Sequence, residues 1–306
     1  MKLNSVMDRE FRSRMRTWRS AATITAYLAV LGLITLAFLW LNTRGRYVIS
    51  YRLGMELYMV MAVVQFGLIA FVTPALTSGA ITGEKERQTL DLLLVTKLSA
   101  RSIVLGKLVA SLSYLLLLVF SSLPLFSLVF LLGGVAPSEI LLTFGIYIFT
   151  AVYLGSIGLF YSAVSRRTQV ATVLTYLTVL FLGIGTYMIG GFARAIYRYQ
   201  VAYNVQFQTL PFVFHFNPLT PLLLTLKNGW GKRVLWEIGQ VSQGNFTPTL
   251  DWEVLGVTLG VQLAIIIVLL WVATKAITPV GRGKLGLPVF KRTLRGGRSG
   301  GIQEGA

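Results

Sequence analysis

A polar break separates the second apolar segment of this chain from the third: Ile81-Thr82-Gly83-Glu84-Lys85-Glu86-Arg87-Gln88-Thr89-Leu90-Asp91-Leu92-Leu93-Leu94. Charges of both signs come first and leucines follow at helical spacing, so the stretch predicts a short helix with an apolar face. Most of the chain on either side is apolar. A structured polar loop between apolar segments indicates a place where something outside the lipid acts on the protein.

Composition places the chain among membrane proteins with several spans. Of the 306 residues, 55% are hydrophobic and only 13% are charged, and the mean hydropathy is +0.70. A net charge of +17 would indicate nucleic-acid binding in a soluble protein. Here the basic residues lie between apolar segments, so we expect contact with membrane lipids and none with nucleic acid. The chain has no cysteine, which excludes disulfides and thiolate metal ligands.

Six segments are long and apolar enough to cross a membrane, which takes about 20 residues in a helix. The third is longer than necessary, and Pro124 within it predicts a kink. The fold class is therefore all-α: a polytopic membrane protein with six transmembrane helices. The predicted spans are Ala21–Leu41, Leu57–Ser78, Ser102–Leu132, Glu139–Val164, Val170–Gly191 and Trp252–Thr274.

The distribution of Lys and Arg predicts the orientation, because cytoplasmic loops carry an excess of basic residues. If both termini are inside, 20 of the 28 basic residues lie on the cytosolic side and eight lie outside. We therefore expect an N-in, C-in protein of the cell membrane.

This layout divides the chain into three regions. Residues 1–20 are expected to form an amphipathic interfacial helix. Residues 21–274 form the six-span domain, with a coupling loop at about 80–101 and a long outer loop at about 192–251. Residues 275–306 form a basic, glycine-rich tail that we expect to be disordered. The apolar stripe of the first region consists of Leu3, Met7, Phe11, Met15 and Trp18.

The outer loop contains an apolar stretch that Pro211, Pro218 and Pro221 interrupt, which argues against a full span. Asn217 as cap and Pro218 as first helical residue predict a short helix that ends near residues 227–229. We expect this helix to lie at the outer surface or to dip partly into the membrane.

The sequence lacks the residue combinations of common catalytic sites. His215 is the only histidine, and the usual zinc sites need more than one. Neither a Gly-x-Ser-x-Gly elbow nor a nucleotide-binding P-loop is present. We therefore expect no enzymatic activity, no metal and no bound cofactor in this chain. An intramembrane enzyme is poorly supported, and it would require that His215→Ala abolish its activity.

Two neutral polar residues inside the predicted spans are candidates for a substrate pathway. They are Gln65 in the second span and Tyr176 in the fifth. A buried amide also hydrogen-bonds between helices, so both interpretations of Gln65 stay open. The small residues in Gly155-Ser156-Ile157-Gly158 predict close helix packing. The pairs Gly79-x-x-x-Gly83 and Gly256-x-x-x-Gly260 predict the same, within one chain rather than between two chains.

The six-span layout and the polar break together resemble the permease subunits of type-2 ATP-binding-cassette (ABC) exporters. In that family, the first inner loop carries a Glu-x-Glu-(Arg)-x-Thr run followed by leucines, and a Gly-Lys pair opens the third span. Glu84-Lys85-Glu86-Arg87-Gln88-Thr89-Leu90 and Leu105-Gly106-Lys107-Leu108 match that order. Two positions depart from it: Lys97 stands where the family often has Pro, and Gln88 where it often has Gly.

The resemblance implies a coupling helix in this loop, which fits a groove on a separate cytosolic ABC ATPase and moves the second and third spans. It also implies that ATP and Mg are bound by that ATPase, in two copies. A second permease chain would complete the assembly, and the second and fifth spans would line the pathway. The residues expected to couple to the ATPase are Glu84, Glu86, Arg87, Thr89, Leu90, Asp91, Leu94, Arg166 and Arg167.

The predicted function is that of an ABC-transporter permease, which exports an unidentified substrate and is powered by separate ATPase subunits. The alternative is a membrane scaffold or assembly factor without transport activity. A scaffold should tolerate Arg87→Glu combined with Leu90→Asp, whereas a coupled permease should lose its partner.

Overall fold

A computed structural model describes residues 18–43, 51–90, 99–192, 212–226 and 252–278. All regular structure in these ranges is helical, and six helical stretches are long and apolar enough to cross a membrane. The predicted all-α fold with six spans is confirmed. The interfacial helix, most of the outer loop and the basic tail lie outside the described ranges, and the N-in, C-in orientation stays a prediction.

The helices begin and end within a few residues of the predicted spans. Their length follows from the apolar runs, because a segment in lipid must bond every backbone N–H and C=O group internally. The helices are α1 Trp18–Thr43, α2 Tyr51–Thr77, α3 Thr82–Glu86, α4 Ala100–Ser121, α5 Leu123–Leu132, α6 Pro137–Val164, α7 Thr168–Leu180, α8 Thr220–Thr225 and α9 Trp252–Ile277.

The third span is interrupted where Pro124 predicts it. α4 ends at Ser121, and α5 begins with Pro124 in its first turn, where the N–H that proline lacks has no helical partner in any case. Buried Ser122 lies at the junction and donates its hydroxyl to the backbone oxygen of Val119. The same hydroxyl accepts a hydrogen bond from Gln65 Nε2 on α2, at 3.0 Å. The interruption thus ties α2 to the third span.

α6 lies at the centre of the bundle and contacts α2, α4, α7 and α9, whereas α1 packs mainly against α2. The small residues of α6 permit this. A Cβ added at Gly158 would stand 2.0 Å from Thr77 Oγ1 on α2, and one at Gly155 would stand 3.2 Å from Leu108 on α4. The close packing predicted for this part of the sequence is confirmed.

Neither Gly-x-x-x-Gly pair shows at both positions the close helix packing found at Gly155 and Gly158. A Cβ at Gly79 would meet Thr168 at 3.3 Å, but Gly83 has open space around it. Gly256 and Gly260 also face open space within the described chain. Among the described residues, the predicted internal helix contact is therefore not found for the pair on α9, because no described neighbour lies within 4 Å of either position.

The proline-containing part of the outer loop forms an inserted segment, residues 212–226, which packs against α6 and α9. It consists of a 3-10 turn, Phe212–Phe216, followed by α8. Its side chains from Phe214 to Leu226 are mostly buried, and how far it dips into the membrane stays a prediction. Asn217 is not the N-cap: its Oδ1 accepts the N–H of Leu219 at 2.7 Å in the turn before the helix, and no side chain caps the helix start. The helix itself begins later than predicted, at Thr220.

Hydrogen bonds fix the inserted segment to two spans. Gln262 on α9 donates its amide to the backbone oxygens of His215 and Asn217, at 3.2 and 2.9 Å. The helix of α7 continues past Leu180 through a π turn, Phe181–Gly185, to residue 192. Asn217 Nδ2 donates to the backbone oxygen of Gly183 in that turn, at 2.8 Å. A π turn exposes backbone oxygens of this kind, and here the oxygen is satisfied by a side chain.

Candidate coupling site

α3 follows α2 in the chain but does not continue it. Residues 78–81 form a turn between the two helices. The apolar helical stretch that contains both runs from Arg52 to Glu86 and has 35 residues, well beyond the about 20 that a bilayer needs. We therefore infer that α3 lies beyond the hydrocarbon layer; it stands at the end of the bundle where α6 ends and α7 begins.

Ser162, near the end of α6, anchors the start of α3. Its hydroxyl oxygen accepts hydrogen bonds from the backbone N–H groups of Ile81 and Thr82, at 2.9 and 3.0 Å. The first N–H groups of a helix have no partner within the helix, and no side chain of α3 caps its own start. Because Ser162 is fully buried, the missing cap comes from the core of the bundle.

Lys85 fastens α3 to the end of α6. Its amino group donates to the backbone oxygens of Ser162, Ala163 and Ser165, with the Ser165 contact at 3.1 Å. The last carbonyls of a helix lack internal partners and carry partial negative charge, so an ammonium group stabilises them. Burial, followed by the nearby charge of Arg166, lowers the pKa of Lys85.

Glu86 fastens α3 to the start of α7. Its Oε1 accepts the backbone N–H of Thr168 at 2.7 Å, and its Oε2 accepts the Thr168 hydroxyl at 2.9 Å. A carboxylate at this position also meets the positive end of the α7 dipole. The hydrogen bonds from Thr168, with a smaller contribution from Arg167, lower the pKa of Glu86. The carboxylate is therefore charged at neutral pH, and the contact weakens as the pH falls through that lowered pKa.

Glu84 joins α3 to α4 through an ion pair. Its Oε1 lies 2.5 Å from Lys107 Nζ, and the two side chains are only 20% and 9% exposed, respectively. Lys107 is the lysine of the Gly-Lys pair that the sequence comparison singled out. Nothing in the sequence identifies Glu84 as its partner, since the two residues are far apart in the chain.

Three consecutive side chains of α3 thus reach three different helices. Because they project from a single turn, a displacement of α3 must strain or break the contacts to α4, the end of α6 and the start of α7 together. We refer to this group as the charged clasp. It comprises Glu84, Lys85, Glu86, Lys107, Ser162 and Thr168.

The residues predicted to couple to an ATPase fall into different environments. Glu84 and Glu86 are bonded within the chain, as described. Thr89 donates its backbone N–H to the Glu84 backbone oxygen at 2.9 Å and so closes the turn after α3. Leu90 is buried in the core of this chain, so its apolar side chain is not available to a partner. The exposed members are Glu86, Arg87, Arg166 and Arg167. Asp91 and Leu94 are not among the described residues.

Gln88 ends α3 in the left-handed conformation, with a φ of 56°. Residues other than glycine adopt this conformation at a cost of about 1 to 2 kcal/mol, and it commonly follows the end of a helix. The sequence comparison marked this position as one where glycine is frequent. The backbone angle supplies the reason, since glycine carries no such cost.

The two pathway candidates also differ in their surroundings. Gln65 is fully buried, and its bond to Ser122 realises the interhelical interpretation; its role in a pathway stays a prediction that this burial disfavours. Tyr176 is partly exposed on α7 and donates its hydroxyl to the backbone oxygen of Phe71 on α2, at 2.8 Å. This oxygen precedes Pro74, where the helix is weakened. Tyr176 therefore links the two spans that are expected to line the pathway.

Glu86→Ala is expected to loosen the start of α7, because the Thr168 N–H would lose its acceptor. The measurement is hydrogen–deuterium exchange of the purified protein in mild detergent at neutral pH. We expect faster exchange in the peptide that covers Thr168. Glu86→Gln keeps an acceptor oxygen and should change exchange less, and Glu253→Ala, an exposed carboxylate on α9, is the matched control. Unchanged exchange in Glu86→Ala would contradict the role given to this contact.

The contacts of the site are ion pairs and hydrogen bonds that connect helices. Within the described ranges, no three or more His, Cys, Asp or Glu side chains lie together in a way that could hold a metal ion. In the charged clasp, Lys85 and Glu86 bond to backbone groups of neighbouring helices, and Glu84 pairs with Lys107.

Comparison with known proteins agrees with this arrangement. A family model described as ABC-2 family transporter protein matches residues 5–275, which is most of the chain. The match covers all six spans, α3 and the inserted segment. No curated protein sequence matches the chain significantly.

Proposed function

Because this chain belongs to the ABC-2 family of transporter proteins, we propose that it is the permease subunit of an exporter driven by separate ATPase subunits. It is a multi-pass membrane protein and a component of membrane transport, not an enzyme. The observation that carries the proposal is that α3, a short charged helix, is bonded to three neighbouring helices; we place it beyond the hydrocarbon layer. Such a helix is suited to receive force from a soluble partner.

The energy would come from ATP on the partner, because this chain has no nucleotide-binding loop of its own. ATP and Mg belong to that subunit, which would be present in two copies. A second permease chain, identical or related, would complete the assembly. The substrate would pass between the two permeases, along faces that include α2 and α7, and Tyr176 is the candidate contact there.

The charged clasp supports a coupling path that is broader than the one predicted. The sequence places the moving parts at the second and third spans, on either side of the loop. The contacts of Lys85 and Glu86 add the end of α6 and the start of α7. A rigid-body displacement of α3 by the ATPase would then reach four spans at once. In this proposal, Glu84 and Glu86 act through contacts inside the permease and not by touching the ATPase.

The inserted segment is the proposed gate at the opposite end. It packs against α6 and α9 and is bonded to Gly183 in the π turn of α7. A movement of α7 that starts at Thr168 would therefore act on the segment at Gly183. The alternative function, a scaffold without transport, is not favoured for a member of a transporter family.

The test of the function is purification of the tagged chain from its native cells in mild detergent, with assay for a bound, vanadate-sensitive ATPase. We expect the native chain to retain such an ATPase and Arg87→Glu to lose most of it. Leu90→Asp is unsuitable here, because Leu90 is buried and its replacement would disturb folding. Arg52→Glu, a charge reversal at the start of α2, is the control and should retain the ATPase. A folded chain that never retains an ATPase in several mild detergents would refute the proposal.

A further inference from the structure

The charged side chains at the α3 end of the bundle are not equally available to a partner. Glu84 is mostly buried in its pair with Lys107, and both oxygens of Glu86 accept hydrogen bonds from Thr168. Lys85 is directed at the end of α6. The contacts of the clasp thus use both carboxylates and one ammonium group of the Glu84-Lys85-Glu86 run.

What remains outward is mainly basic. Arg87, Arg166 and Arg167 are exposed, and Glu86 beside them is exposed too, with its carboxylate bonded to Thr168 and attracted by Arg167. The three arginines lie close together, because Glu86 next to Arg87 is bonded to Thr168 next to Arg167, and Lys85 is bonded to Ser165 next to Arg166. We refer to these three residues as the arginine surface.

We propose that the arginine surface docks onto a groove of the ATPase that is lined with carboxylates. This inference rests on the proposed function and adds the chemistry of the partner. Three guanidinium groups held near one another repel each other, and carboxylates on a partner offset that repulsion. Arginine is also the side chain whose fork of N–H groups matches a carboxylate with two parallel bonds. From the sequence alone, the loop offers charges of both signs; the contacts of Glu84, Lys85 and Glu86 leave three arginines and one hydrogen-bonded carboxylate at the surface, an excess of positive charge.

The first test measures the complex as a function of salt. We expect retention of the native ATPase to fall as NaCl rises, as for an interface with charge complementarity. The triple variant Arg87→Gln, Arg166→Gln, Arg167→Gln should weaken retention at low salt by about tenfold or more, equivalent to about 1.4 kcal/mol, and should lose the salt dependence. Arg52→Gln, far from α3, should behave as the native chain. Equal melting temperatures establish that the variants are folded.

The second test identifies the partner groups. A carbodiimide joins an amine directly to a carboxylate that touches it, so each arginine of the surface is replaced by lysine, singly. We expect cross-links from lysine at 87, 166 or 167 to Asp or Glu of the ATPase, located by mass spectrometry, and none from Arg52→Lys.

Two outcomes would overturn the inference while the proposed function stands. In one, the ATPase is retained equally by the native and triple-glutamine chains, and no lysine cross-links to it. In the other, the glutamine variant retains the ATPase but no longer binds vesicles that contain phosphatidylglycerol, which would assign the arginine surface to lipid headgroups. Absence of any ATPase from the native chain would instead refute the proposed function itself.

Discussion

Lys107→Met is expected to lower the free energy of unfolding by about 3 to 5 kcal/mol, the range for breaking a buried ion pair. The substitution removes the ammonium group that lies 2.5 Å from Glu84 and leaves the carboxylate with little access to water. Glu84 Oε2 already has no hydrogen-bond partner in the described chain. The measurement is denaturant unfolding of the purified protein in mild detergent, followed by tryptophan fluorescence.

Two further variants separate the ion pair from simple loss of packing. Glu84→Gln combined with Lys107→Met removes both charges and should recover much of the loss, because no charge stays buried. Arg52→Met breaks the exposed pair with Glu56, whose side chains are 80% and 38% exposed, and should cost less than about 1 kcal/mol. If the double variant is as unstable as Lys107→Met alone, the charge on Glu84 is not the cause.

Gly158→Ala is expected to destabilise the protein by about 1 to 3 kcal/mol, the usual cost of forcing an extra group into a packed contact. The new Cβ would stand 2.0 Å from Thr77 Oγ1 and 2.9 Å from Thr77 Cβ, so α2 and α6 must separate. This crossing lies next to Ser162, so the start of α3 should also be displaced. Melting temperature and the yield of folded protein report the effect.

The same helix offers a matched control. Gly145 on α6 has open space at its Cβ position, so Gly145→Ala should be neutral or slightly stabilising, since alanine favours a helix over glycine. Thr77→Ala removes the closest clashing atom, and Gly158→Ala should therefore cost less in that background. Equal losses with and without Thr77→Ala would show that this crossing does not explain the effect.

The spans could be predicted because each is a local property of the sequence. About 20 apolar residues must form a helix in lipid, and Pro124 marks the break in the third span. Asn217 and the prolines around it also indicated a short helix. The contact partners of that segment could not be read in the same way, because Gly183 and Gln262 become its neighbours only after three helices pack together.

The sequence predicted where the coupling site lies. It did not predict which of the charged residues bond within the chain and which face outward. A run of alternating charges reads as a solvated, partner-facing surface, and Glu84 and Glu86 were assigned accordingly. Their actual partners are Lys107, well inside α4, and Thr168, the first residue of α7, and both are distant in sequence. Ser162 gave no signal at all, since a serine near the end of an apolar span is common. Arg87, Arg166 and Arg167 are exposed at this end of the bundle, and their contact with an ATPase stays a prediction.

The π turn in α7 has a consequence for the history and the alignment of this sequence. A π turn contains one residue more than the α-helical turn it replaces, so Phe181–Gly185 can be understood as a single-residue insertion. One residue corresponds to about 100° of rotation. Deleting it would turn the following stretch around the helix axis and move Thr186, which bonds to Asn217, to another side. We therefore expect relatives that keep the asparagine to keep the length of this span, and relatives one residue shorter here to have lost both together.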